Sequence, residues 1–230
     1  MPSPFSLKWD ATVCRLLAEG YLGRLVRVEV RGVVGSTFPD AEGSALHWRQ
    51  DKALSGNNIM MMGIFYEAMM RWVGEASSVL AMGSVHVKER TRADTGERVP
   101  IEIPDDIDII CRMKKDGAQT HMHFSTVCGL AERSMAFWLH GSEGTLCLEP
   151  TAKDPAMQFR GGRRGDQALV PIDVPDSEAS AWRVEDEFIG AVRGTEPIKL
   201  TTFEDGVKYM DFTDAVTESL KTGREVTLPQ

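Results

Sequence analysis

Twenty residues in the first third of the chain, SGNNIMMMGIFYEAMMRWVG from Ser55 to Gly74, are apolar at almost every position except Asn57, Asn58, Glu67 and Arg71. A segment this apolar must have most of its circumference covered, so its length and composition predict a buried helix. Glu67 and Arg71 stand four apart, acid first, which is the favourable order for a same-face ion pair. The uninterrupted apolar stretch stops at Glu67. It is shorter than the ~18–20 residues that span a bilayer, and no membrane association is expected.

The flanking sequence predicts what covers that helix. Asp10 reads as the N-cap of an opening helix with Val13, Leu16 and Leu17 on one face, ended by Gly20 or Gly23. Leu25 to Val33 alternates as a strand, and residues 34–54 read as a long polar loop. From Ser78 to Glu149 the period is two, with strands near 79–90, 106–115, 118–128, 132–140 and 145–149. Lys115-Asp116-Gly117 and Gly141-Ser142-Glu143-Gly144 close hairpins. A further strand pair near 156–160 and 167–173 flanks the loop Gly161 to Gly165. Two helices follow. One runs about 181–193, with Phe188, Ile189 and Val192 inward and Gly194 as its stop; the other runs about 203–221, capped by Thr202 and closed by Gly223. Val226 and Leu228 suggest a last short strand. This order predicts a single α+β domain over residues 1–230: a large, mainly antiparallel open sheet with helices packed on one face.

Alternation assigns the faces of that sheet. Val79, Ala81, Gly83, Val85 and Val87, with Ile107, Ile109, Cys111 and Met113, make an apolar side. The alternate positions, Leu80, Met82, His86, Ile110, Arg112, His121, His123, Ser125, Trp138 and His140, carry Met, Trp, Arg and His with little acid. That composition resembles a subunit interface more than a solvated surface, so a homo-oligomer through the open face is expected. His121 and His123 point the same way along a strand, as metal ligands would, but no carboxylate or cysteine is an evident third ligand. No metal site is expected.

Charge and cysteine usage narrow the function further. Against 34 Asp plus Glu the chain has 26 Lys plus Arg, a net charge of −8, which is unsuited to a nucleic-acid phosphate backbone. Cys14, Cys111, Cys128 and Cys147 are far apart and read as free thiols rather than a disulfide framework, and no secretory leader opens the sequence; a cytoplasmic location is expected. The arginine-rich loop Phe159 to Gly165 lacks P-loop spacing and reads as a hairpin tip, and neither a Gly-x-Gly-x-x-Gly nor a Gly-x-Ser-x-Gly motif occurs. Asn57 and Asn58 would sit at the first turn of the central helix, able either to cap it or to hold a polar ligand. Trp48 and Arg49 precede it, positioned to line a pocket or to anchor the loop. Glu67 is either the partner of Arg71 or a functional carboxylate.

In several of these segments the sequence resembles the C-terminal domain of the glucose–fructose oxidoreductase/inositol dehydrogenase/MocA (Gfo/Idh/MocA) family of NAD(P)-dependent oxidoreductases. The stretch LLAEGYLGRLVRVEV is similar to the family's entry into that domain. Trp48-Arg49-Gln50-Asp51, Ser55-Gly56-Asn57-Asn58 and Met62-Gly63-Ile64 resemble its central helix, and Gly141 to Leu146 its Gly-x-x-Gly-Thr-Leu hairpin. Phe188 to Gly194 and Phe203 to Val226 resemble its closing helices. The resemblance implies a sugar, polyol or similar hydroxylated small molecule as substrate, bound near Trp48, Arg49, Asn57 and Asn58. It implies NAD or NADP as cofactor in the intact enzyme, held by a Rossmann domain in cis or in trans. The glycine fingerprint of that domain does not occur in these 230 residues, so no tight dinucleotide binding to this chain alone is expected. The family's helical Asp and His fall on Met61 and Phe65, which cannot transfer protons near neutral pH. Tyr66 and Glu67 are the nearest catalytic substitutes, although they lie about 100° and 200° around the helix from Phe65. The alternative is a non-catalytic ligand-binding or assembly domain without that proton relay.

Overall fold

The computed structural model describes residues 2–33, 38–39, 45–59, 61–131, 134–151 and 154–229. Parts of the expected 34–54 loop and the start of the expected 132–140 strand lie outside them. The elements that organise the fold are helix α1 (Leu7–Ala18), strand β1 (Leu25–Val33), the short helix α2 (Lys52–Ser55), helix α3 (Met62–Val73) and strand β2 (Ala76–Ser84). A small ribbon of β3 (Glu89–Thr91) and β4 (Arg98–Pro100) follows, then β5 (Asp106–Met113), β6 (Gln119–Ser125), β7 (Met135–Gly141), β8 (Gly144–Thr151), β9 (Asp154–Arg163) and β10 (Val170–Pro171). Helices α4 (Val184–Arg193) and α5 (Phe203–Thr222) and strand β11 (Val226–Thr227) close the chain.

Nine strands form one open sheet in the order β10-β9-β8-β7-β1-β6-β5-β2-β11, and β3 and β4 pair separately. Within the large sheet β1 runs parallel to β6; its other pairings are antiparallel. The expected continuous strand over 79–90 is therefore two elements, with His86 in the link between them.

The sheet's apolar face and the inward sides of α1, α3 and α5 share one core. Val28, Val30, Ile107, Ile109, Met122 and Phe137 meet Phe65, Tyr66, Met69, Phe212 and Val216 there. Two glycines lock the motifs at one edge. Gly23 adopts φ 67°, and a Cβ on it would meet the Ser142 and Glu143 side chains; a Cβ on Gly141 would collide with the Leu22 carbonyl. The turn after α1 and the β7–β8 hairpin are thus held against each other across the fold.

Five expectations need correction. The central helix is shorter than the apolar run, because Gly56 (φ 64°) and Met61 (φ 69°) sit in left-handed conformations that break it before Met62. Asn57 and Asn58 therefore precede the helix instead of forming its first turn. Asp10 is inside α1, which starts after Ser6, and its carboxylate turns inward instead of capping. On α4, Phe188, Ile189 and Val192 are 53%, 48% and 74% exposed, so its apolar stripe faces away from this chain's core. Finally, the open sheet face is not poor in acids: Glu29, Asp106, Asp108 and Glu149 stand among its histidines and arginines.

Candidate functional site

Glu67 belongs to a buried polar network between α1 and α3. The Arg71 guanidinium pairs with the Glu67 carboxylate through Nη1, and with Asp10 through Nη2 at 2.8 Å. Nη2 also donates to Ser6 Oγ at 2.6 Å. The Trp72 indole N–H donates to Asp10 at 2.7 Å. Glu67 accepts further bonds from the Ser3 amide at 2.7 Å and the Thr201 hydroxyl at 2.6 Å. Two carboxylates share one guanidinium here and accept further bonds from neutral donors, while the buried Arg71 Nε has no partner among the described residues. The network opens on a cleft of about 490 Å³ lined by Asp10, Cys14, Glu67, Arg71, Lys199 and Lys208, among others.

Tyr66 points elsewhere. Its ring is fully buried and stacks on Phe212 with centroids 3.6 Å apart. Its hydroxyl accepts the Ala76 amide at 3.0 Å, and burial pushes the phenol well above the ordinary tyrosine range. A sealed phenol with that shift has no route for a proton to a substrate. Phe65 is sealed too, packed against Phe5, Phe124 and Phe137. Met61 borders a small recess with Gly32, Pro104 and Phe124.

The expected substrate contacts cluster away from Glu67. His47 caps a single 3₁₀ turn at Trp48–Gln50 and Asp51 caps α2, which together present Trp48 and Arg49 outward. The Trp48 indole is half exposed, with the Arg49 guanidinium 4.2 Å from its ring centroid. Trp48 borders a recess of about 240 Å³ with Leu54, Arg92 and Asp94. Arg49 and Asn58 border a narrow crevice with Arg90 and Asp105. The structure thus brings Arg49 to Trp48 in one contact and to Asn58 in a second recess. Asn57 borders none of these recesses, and none is lined by both this group and Glu67. Arg90 and Asp105 were missed by sequence reasoning; Asp105 had a legible signal as an acid just before a strand. Its carboxylate accepts the amides of His86 and Val87 at 2.8 Å each, which ties the β2–β3 link to β5.

On the open face the histidines are separately engaged. His121 is hydrogen-bonded to Asp108 at 2.8 Å and His123 to Asp106 at 3.1 Å. Trp138 and Arg160 both reach Glu149, and the Trp138 ring stacks on His140. Burial lowers the His140 pKa and favours neutral imidazole. The four cysteines are free, and burial raises the Cys111 and Cys147 thiols to about 12, so both stay protonated.

The one parallel strand pair, β1–β6, carries no glycine-rich turn into a helix where a pyrophosphate would sit. Among the described residues, no helix is long and apolar enough to cross a membrane.

Comparison with known proteins agrees with this architecture. The family model described as the GFO/IDH/MocA C-terminal domain matches residues 11–147, more than half of the chain. No curated protein matches in sequence. Among solved structures, levoglucosan dehydrogenase in complex with NADH and L-sorbose superposes with a TM-score of 0.79 at 20% identity, covering 99% of this chain and 65% of its own. An NAD binding oxidoreductase from Klebsiella pneumoniae gives 0.77 at 17% identity, covering 98% and 65%. The transcriptional regulator Gal80p from Kluyveromyces lactis gives 0.71 at 14% identity, covering 96% and 61%. The chain thus spans just under two thirds of the length of these structures. Motifs, sheet topology and family match agree: the chain belongs to the GFO/IDH/MocA family, as a C-terminal domain.

Proposed function

We propose that this chain is the substrate-side and oligomerisation half of an NAD(P)-dependent oxidoreductase acting on a sugar, polyol or similar hydroxylated small molecule. A Rossmann domain, in cis or in trans, would hold NAD or NADP and so supply the hydride acceptor or donor. The observation that carries the reading is the match of the whole chain to 65% of levoglucosan dehydrogenase, a structure described with NADH and L-sorbose bound. The apolar side chains that α4 and α5 leave exposed, Phe188, Val192, Phe203 and Val207 among them, favour docking of a further unit. Leu80, Met82 and Ile110 on the open sheet face favour a second copy of the chain there.

The Arg49 guanidinium covers one face of the half-exposed Trp48 ring, so the other face is the apolar surface assigned to the C–H side of a sugar ring, with Arg49 available to bond hydroxyls. Of the two proton-carrier candidates, Glu67 lies at the wall of the cleft, nearly buried and held by Arg71, Ser3 and Thr201, whereas Tyr66 is fully buried in the core. A second reading, ligand binding or assembly without chemistry, is favoured by Met61 and Phe65 at the relay positions and by the shared fold of a transcriptional regulator.

The test is to pair the chain with the dinucleotide-binding half encoded with it and to follow NAD(P) reduction over a panel of sugars and polyols. Turnover that requires both halves is the expected result. Saturable sugar binding without turnover selects the second reading, and absence of both overturns the proposal. Unchanged turnover in Glu67→Gln would eliminate Glu67 as proton carrier.

A further inference from the structure

Asp106, His123 and Cys128 converge at one corner of the open sheet face. Asp106 opens β5, and His123 lies near the end of the neighbouring strand β6. Cys128 follows on the segment that leaves β6, which is tied back by the Thr126 amide donating to the Asp105 carbonyl at 2.8 Å. One ligand atom from each, the Asp106 carboxylate, the His123 ring nitrogen and the Cys128 sulfur, lie within 4.8 Å of one another. The pairwise separations are 3.1 Å from His123 Nε2 to Asp106 Oδ1 and 4.0 Å from Cys128 Sγ to the same oxygen. Tetrahedral zinc with bonds of ~2.0–2.3 Å sets its ligand atoms about 3.3–3.6 Å apart. These two separations lie on either side of that spacing, and no pair in the cluster exceeds 4.8 Å, so the three donors stand close to a metal-binding arrangement. All three residues are partly buried, which shields a site while leaving it an entry path.

A fourth donor stands beside them. His86 Nε2 lies 4.0 Å from the other Asp106 oxygen, and its side chain is 47% exposed and therefore free to turn. We propose that Asp106, His123 and Cys128 bind a borderline-soft divalent cation of the zinc class, with His86 available for the fourth position. The donor types select the metal. Thiolate with imidazole favours zinc or cobalt over magnesium or calcium, which prefer all-oxygen shells. Binding would release the thiol proton, and His123 would coordinate through Nε2 as the tautomer that carries its proton on Nδ1. The bound ion would clip the segment after β6 to the start of β5. The sequence does not place these donors together, because they meet through strand register and a turn. Asp106 is 17 residues from His123, and His121, the apparent partner, is held instead by Asp108. This inference does not depend on the proposed catalytic role.

The test is titration of the chelator-treated chain with Co²⁺, followed by displacement with Zn²⁺. The expected result is one equivalent of Co²⁺ per chain, with the thiolate-to-cobalt charge-transfer band and the visible bands of tetrahedral coordination. Zn²⁺ should abolish both. Cys128→Ser should lose the charge-transfer band, and His123→Gln should bind at least about tenfold more weakly. Cys14→Ser, at a cysteine outside the cluster, should titrate like the parent. Circular dichroism confirms that each variant is folded. No saturable spectrum in the parent, or a charge-transfer band that survives Cys128→Ser in the folded protein, would overturn the proposal.

Discussion

Arg71→Met strands two carboxylates in the interior while keeping most of the aliphatic stem that packs between α1 and α3. The Glu67 and Asp10 side chains are only 3% and 7% exposed, and Arg71 is the guanidinium that contacts both. Removing one partner from a buried ion pair costs about 3–5 kcal/mol. The neutral donors that remain, Ser3 N and Thr201 on Glu67 and the Trp72 indole on Asp10, soften that cost. We therefore expect the lower end, about 3 kcal/mol. Glu67→Gln leaves Arg71 paired with Asp10, and its main loss is the acceptor for the Ser3 amide, about 1–2 kcal/mol. Urea unfolding followed by tryptophan fluorescence reads both. With a slope of about 3 kcal/mol/M, Arg71→Met should lower the midpoint by about 1 M and Glu67→Gln by roughly half that. The reasoning is refuted if Arg71→Met is no more destabilising than Glu67→Gln, because the cost would then not arise from uncompensated buried charge.

Phe65→Ala should destabilise the chain by about 3–5 kcal/mol in the same assay, since the ring fills a sealed aromatic cluster; a loss below about 1 kcal/mol would mean that position 65 faces open space. Hydrogen bonds from Lys114 and Lys208 lower the Glu75 pKa. Its contribution is present above the ordinary carboxylate range and is lost as pH falls through the depressed folded value. Stability of Glu75→Gln should accordingly fall less between pH 6 and pH 3 than that of the parent, and parallel pH curves would count against the pairing. Ile110→Asp on the open sheet face should yield a monomer by light scattering from an oligomeric parent; a monomeric parent at micromolar concentration would remove the interface proposal.

Much of the fold is legible in residue order because its signals are local. Alternation marks β1 from Leu25 to Val33, and Thr202 and Gly223 bound α5 as capping chemistry requires. The Asp116-Gly117 pair takes positive φ at both positions, which closes the β5–β6 hairpin. Where the reading failed, a distant partner decided the outcome. Asp10 looks like a cap until Arg71 and Trp72, more than sixty residues away, draw its carboxylate inward. The apolar run from Ile59 hides the left-handed Met61, because continuity of hydrophobic residues does not report backbone sign. The stripe on α4 is amphipathic as read, but periodicity does not say what it faces, and it does not pack on this chain's core. The contact of Trp48 with Arg49 followed from their adjacency in sequence. The separation of Glu67 from them depends on α3 facing α1, which no local pattern encodes.

The division of labour proposed here is tested most directly by calorimetric titration of this chain with NADH and, separately, with sugars and polyols. The account predicts saturable heat with at least one hydroxylated ligand, weakened by Trp48→Ala, and no saturable heat with NADH. Tight NADH binding by these 230 residues, with no response to any sugar or polyol, would contradict it.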